Sequence, residues 1–124
     1  MNNLFLLYLM TLLPLSIDHT PRRQLLVFAG SASHASYARQ LSILDSDKAG
    51  IADRDIQRVD IAENSGAYSR YKVKPGQFCV ILVGKDGTEK FRSSEPVSLD
   101  TLFGLIDAMP MRKQEIRKKN SPEN

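Results

Sequence analysis

Two short runs constrain this chain more than anything else in it: Leu25-Leu26-Val27-Phe28-Ala29 and Phe78-Cys79-Val80-Ile81-Leu82-Val83. Both are apolar throughout, both are shorter than an ordinary helix, and both are closed by a glycine, Gly30 and Gly84. Runs of this kind are strands buried on both faces. A chain with two such strands needs a covering layer on each side of its sheet. At 124 residues it has room for one domain of that construction and for a core that needs no metal or disulfide.

The segments between the two runs supply the layers. After Gly30-Ser31-Ala32-Ser33, Tyr37, Leu41 and Leu44 recur at helical spacing with Ala38 beside them, and Ser31 or Ser33 is a suitable N-cap. Asp45-Ser46-Asp47-Lys48-Ala49-Gly50 ends that helix. Asp55–Ile61 reads as a weaker strand, with Val59 and Ile61 on one face and Arg58 and Asp60 on the other. Asn64-Ser65-Gly66 starts a short helix through Tyr68 and Tyr71, which Lys74-Pro75-Gly76 stops. Beyond the second apolar run, Gly84-Lys85-Asp86-Gly87 is a hairpin turn. It leads into Glu89–Ser93, an edge strand with Phe91 inward and Lys90 and Arg92 outward. Ser98 caps the clearest amphipathic helix, carrying Leu99, Leu102, Phe103, Ile106 and Met109, and Asp100 sits in its first turn where the helix dipole favours it.

The predicted order is therefore β-α-β-α-β-β-α. The first unit is a right-handed parallel crossover, and the last two strands are an antiparallel hairpin. Placing the apolar strands centrally and the charged ones at the edges gives an α/β fold with a four-stranded mixed sheet of order 2-1-3-4, flanked by helices. This is a thioredoxin-like arrangement. In it Leu99, Phe103 and Ile106 are expected to pack on the central strands.

Composition and charge divide the chain further. Residues 1–110 hold 12 Lys/Arg and 12 Asp/Glu, so the net charge of +3 resides in residues 111–124. That stretch reads as a basic polar tail and a solvated, fraying helix end. At the other end, residues 4–15 are apolar apart from Thr11 and are too short to span a bilayer. Residues 1–20 read as a signal peptide or apolar leader, although Met1-Asn2-Asn3 lacks a basic residue and no A-x-A-like cleavage site follows. The folded domain is then residues 22–110. The expected place is periplasmic or secreted, with a cytoplasmic protein or one anchored by an uncleaved leader as the alternatives.

The chemistry expected of the chain is sparse. One Cys excludes an internal disulfide and a CxxC pair, and His19 and His34 alone cannot build a catalytic metal centre. No cofactor is implied. Aromatic residues are 7% and Trp is absent, so nucleic acid is not an expected partner. Redox members of a thioredoxin-like fold carry a CxxC in the first βα turn, where the helix N-terminus lowers the thiol pKa. Here that turn is Ala29-Gly30-Ser31-Ala32-Ser33-His34-Ala35. It offers hydroxyls and an imidazole at a helix start, a place that binds anions or merely caps. Cys79 has two readings. In one it faces this turn as a lone thiol beside Ser33 and His34, as a degenerate redox or thiol-binding group. In the other it is a small buried hydrophobe. The candidate binding surface is thus Ser31, Ser33, His34 and Cys79, with no catalytic residue assigned.

Three stretches also carry a resemblance: Arg22–Ala29, Val83–Gly87 and Arg92–Arg112, the last reading Arg-Ser-Ser-Glu-Pro-Val-Ser-Leu-Asp-Thr-Leu-Phe-Gly-Leu-Ile-Asp-Ala-Met-Pro-Met-Arg. Over residues 22–119 the chain resembles the DUDES-type domains, short bacterial proteins that are often exported. Their relatives occur in animal extracellular-matrix and sushi-repeat-containing proteins. The resemblance implies a thioredoxin-like fold without catalytic cysteines, and it implies export. The expected function is a non-catalytic domain that binds a protein or cell-envelope partner.

Overall fold

A computed structural model describes residues 21–30 and 34–121. The leader, Ser31 and Ser33 lie outside the described residues. Four strands, β1 (Arg23–Phe28), β2 (Ile56–Ile61), β3 (Cys79–Val83) and β4 (Glu89–Ser93), form one sheet of order β2-β1-β3-β4. β1 runs parallel to β2, with Leu26 opposite Val59, and antiparallel to β3, with Leu26 opposite Ile81. β3 and β4 pair antiparallel, and an irregularity in register falls between Leu82 and Val83. The mixed sheet and its order are those expected from placing the apolar strands centrally.

Five helices complete the described fold: α1 (His34–Asp45), α2 (Lys48–Asp53), α3 (Ala67–Arg70), α4 (Leu99–Asp107) and α5 (Pro110–Asn120). Strand alternation splits the core in two. Leu25, Val27, Val80 and Leu82 point to one face and pack with Leu44, Val97, Leu102 and Ile106, under α1 and α4. Leu26, Phe28, Cys79, Ile81 and Val83 point to the other and pack with Tyr68 and Val73, under α3 and its loop. Both β1 and β3 are therefore buried on both sides, which accounts for their unbroken apolar sequences.

Three local readings are corrected by the tertiary contacts. α1 buries Gln40 and Leu44, with Tyr37 and Leu41 only partly covered. Gln40 is fully buried because its amide donates to the Val97 carbonyl at 3.1 Å and accepts from the Val97 N–H at 2.7 Å. The stretch taken as a helix end contains α2, whose N-cap Asp47 accepts from the Gly50 N–H at 2.9 Å. In α4 the seam is Leu102 and Ile106, both fully buried. Leu99 and Phe103 are partly covered and pack against the same cluster, as expected, with the Arg54 guanidinium 3.8 Å from the Phe103 ring centre.

The basic tail is the third correction. Pro110 opens α5 at a position where its missing N–H costs nothing. Arg112 of this helix is 5% exposed. It donates to the Asp53 carbonyl and carboxylate at 2.9 and 2.7 Å and to Asp107 at 3.1 Å. Glu115 accepts from both terminal nitrogens of Arg23, which is itself 1% exposed, and from Lys85 at 2.9 Å. Lys85 also donates to Asp55. A solvated end does not describe these residues: α5 is held against the base of the sheet by paired charges, although the buried Nε of Arg23 has no hydrogen-bond partner among the described residues. Its Lys113, Arg117 and Lys118 remain exposed.

Candidate functional site

The chain leaves β1 toward the α1 face and leaves β2 toward the α3 face. Where two neighbouring parallel strands send their connections to opposite sides, their carboxyl ends part and leave a crevice, the usual place for ligands in open α/β sheets. Such a crevice is present. It is a cavity of about 290 Å³ lined by Val27, Ala29, Gly30, His34, Tyr37, Asp60, Ile61 and Glu63. Tyr37 spans it, donating from its hydroxyl to Asp60 at 2.9 Å. That bond, with burial, pushes the phenol pKa up, because ionisation would break the hydrogen bond and set two negative charges together.

A second cavity, about 370 Å³, adjoins it on the α3 side and shares Gly30 and Glu63. Its remaining walls are Tyr68, Pro75 and Gly76. Gly30 is obligatory here, since a Cβ on it would overlap the Gly76 backbone. Gly76 takes φ of +86°, in the left-handed region that glycine occupies without strain. Two glycines thus bring the first βα turn and the loop before β3 into backbone contact. A larger cavity, about 400 Å³, lies at the other end of the sheet over Leu25, Leu44 and Ile56. Two of its rim charges are engaged elsewhere, Asp55 by Lys85 and Arg58 by Asp60. The crevice is set apart instead by its position at the carboxyl ends of two parallel strands.

Of the residues singled out from sequence, His34 begins α1 and is exposed on the crevice wall. Ser31 and Ser33 fall outside the described residues. Cys79 begins β3 opposite Phe28 and packs in the α3-side core, 8% exposed. Burial pushes its thiol pKa up; Arg92 opposes this, and Glu89 adds to it. The imidazole lines the crevice at the ends of β1 and β2, and Cys79 is not among the residues that line it. A thiol placed this way is a poor nucleophile.

Sequence reasoning missed Tyr37, Asp60, Glu63 and Tyr68 as site residues. The helical spacing places Tyr37 on the core side of its helix, and strand alternation places Asp60 on the outer face of its strand. The available signal was topological: strand order 2-1 with helices on alternate faces already implies a crevice at the ends of β1 and β2. Among the described residues, no group of three or more His, Cys, Asp and Glu side chains is placed to hold a metal ion. No helix among them is long and apolar enough to cross a membrane.

Comparison with known proteins adds relatives to this geometry. The profile of a family described as Domain of unknown function (DUF4174) matches residues 14–115. The sushi repeat-containing protein SRPX of Rattus norvegicus is 28% identical over 116 residues, covering 77% of this chain and 24% of its own length. The sushi-repeat-containing protein SRPX of Mus musculus gives the same identity and coverage. The chain thus corresponds to about a quarter of each relative. No solved structure matches it.

Proposed function

The chain belongs to the DUF4174 family, and from that premise we propose that it is a non-catalytic, thioredoxin-like domain that binds a protein partner outside the cytoplasm. The observation that carries this reading is the fate of the single thiol. Cys79 is packed under α3 with its pKa raised, while the first βα turn contains no cysteine. Thiol–disulfide exchange needs an accessible thiolate at a helix N-terminus, and this arrangement withholds both accessibility and the anion. What the fold retains at that end is a mainly apolar crevice edged by a few polar groups, His34, Tyr37, Asp60 and Glu63, suited to recognition.

The apolar leader and the similarity to sushi-repeat-containing proteins favour a place outside the cytoplasm. The partner belongs to the cell envelope or the extracellular medium. It docks at the carboxyl ends of β1 and β2, where His34, Tyr37 and Glu63 are presented together.

A photo-crosslinking residue at position 37 tests the reading. The expected result is one dominant adduct with an exported protein, formed in the envelope fraction and suppressed by excess unlabelled domain. The control carries the crosslinker at Lys113, on α5, and yields no such adduct. Adducts only with cytoplasmic proteins, or equal adducts from both positions, would overturn the reading. Insulin disulfide reduction that persists in Cys79→Ser would contradict its non-redox part.

A further inference from the structure

The two edges of the sheet are finished differently. β4 is blunted: its pairing with β3 breaks register between Leu82 and Val83, and it carries Lys90 and Arg92, the latter donating to Glu89 and to the Tyr71 carbonyl. Irregular register and edge cations are ordinary defences of an open strand. β2 has no such irregularity, and its two charges, Arg58 and Asp60, cancel. Its six residues include no Gly, Pro or Lys and pair with β1 without a break. The Arg23 N–H donates to the Asp55 carbonyl at 2.9 Å, and Arg23 lies opposite Ile56. In a parallel ladder of that phase Gln57, Val59 and Ile61 turn their peptide groups to β1, while Ile56, Arg58 and Asp60 turn theirs outward. Among the described residues, no loop or helix bonds to these outward groups. The side chains of Arg58 and Asp60 are 41% and 43% exposed, so the edge is open.

An open edge pairs with another strand, and the order of residues along β2 fits a second β2. Let the second strand run antiparallel about a two-fold axis at Val59. Val59 then faces its own copy, and Arg58 faces Asp60 of the second copy on both sides of the axis. Arg58 and Asp60 both direct their peptide groups outward, so each of these two pairs exchanges two backbone hydrogen bonds and also joins opposite charges. Moving the axis by one residue either way sets Arg58 against Arg58 or Asp60 against Asp60, which is repulsive. Charge thus selects the register in which the outward hydrogen-bonding groups also match. We propose that this chain forms a two-fold symmetric homodimer by antiparallel pairing of β2 with β2, centred on Val59. Pairing of two edges buries little surface, so the dimer is weak and concentration-dependent. It sends the carboxyl ends of the two β2 strands in opposite directions, so the two crevices lie at opposite ends of the dimer.

The test is sedimentation equilibrium of the full chain, of Arg58→Asp, of Asp60→Arg, and of an equimolar mixture of the two variants. The mass of the unaltered chain should rise from 13.9 kDa toward twice that value with concentration. Each variant alone sets like charges opposite one another at two places and should weaken the dimer about tenfold or more. In the mixture an acidic pair of positions faces a basic pair, so association should return to at least the unaltered level. A second measurement reads the register directly. Val59→Cys should oxidise readily to a disulfide-linked dimer, because residues facing each other in a pair of this kind have Cα atoms about 4.5 Å apart. Gln57→Cys should not, since its two copies lie about 13 Å apart along the strands. A chain that stays monomeric up to about 1 mM would overturn the inference, because a weak dimer forms by then. So would association that both charge variants leave unchanged, a mixture that fails to associate, or a disulfide no faster from Val59→Cys than from Gln57→Cys.

Discussion

Gln40 shows how much one side chain decides. Its amide closes a two-bond ring with the backbone of Val97, in the interior beneath α1. Val97 precedes the N-cap Ser98, so Gln40 fixes where α4 begins relative to the sheet. Replacing it with Leu conserves bulk but orphans one buried N–H and one buried C=O. The expected loss is about 1–3 kcal/mol for each group left unsatisfied. Urea unfolding of Gln40→Leu measures it, and a loss under about 0.5 kcal/mol would mean that the bonds to Val97 contribute little. The spacing of Tyr37, Leu41 and Leu44 concealed this role, because a polar residue on a helix is ordinarily placed on its outer face.

At the scale of the element, α5 is docked by charge. Hydrogen bonds from Lys119 and Arg112 hold the Asp53 carboxyl down at about 2, against an ordinary value of 3.8. Arg54 depresses Asp107; burial opposes this, and Arg112 adds to it. Burial raises Glu115, yet the hydrogen bonds from Arg23 and Lys85 outweigh it and leave the group below its usual range. A carboxylate depressed on folding contributes stability that is present above its unfolded pKa and is lost as pH falls through the folded one. The stability should therefore hold from neutral pH to near the ordinary carboxylate range, then fall between about pH 4 and pH 2. Urea midpoints across that interval check it, with Asp53→Asn expected to lower the neutral value and flatten part of the acid drop. A midpoint indifferent to pH down to 2 would show that these contacts do not couple to folding. Counting charges along 111–124 correctly located the net excess, but a count does not reveal that Arg112 reaches Asp53, fifty-nine positions away in sequence.

At the scale of the whole molecule, two hydrophobic layers share one sheet. Leu102 and Ile106 lie on one side of β1 and β3, Cys79 and Tyr68 on the other. Loss of packing on either side removes support from the same strands, so the layers should unfold together. Leu102→Ala is expected to cost about 2–5 kcal/mol as a fully buried Leu, and Phe103→Ala less than a fully buried Phe would, because Phe103 is only partly buried. Alkylation of Cys79 in urea reports the coupling: it should be slow in the native chain, and Leu102→Ala should lower the midpoint at which it becomes fast. Reactivity of Cys79 unaffected by Leu102→Ala would mean that the α3 layer opens independently.

The sequence by itself determined the sheet. Two apolar runs without polar alternation have no stable place except the middle, and a parallel crossover followed by a hairpin leaves the charged strands only the edges. Ser98 and the turn at Gly87 were legible for the same reason, since caps and turns are chemistry between near neighbours. The tertiary structure alone decided which atoms meet across the chain. Gln40 against Val97, Gly30 against Gly76, Tyr37 against Asp60 and Glu115 between Arg23 and Lys85 are pairs that no local periodicity encodes. It also set the face of Cys79, because side chains alternate along a strand and a shift of one residue reverses them all. The crevice belongs to this second class. It exists because consecutive connections cross to opposite sides of the sheet, and the shape of its α3 side depends on how closely two glycines let the backbone approach.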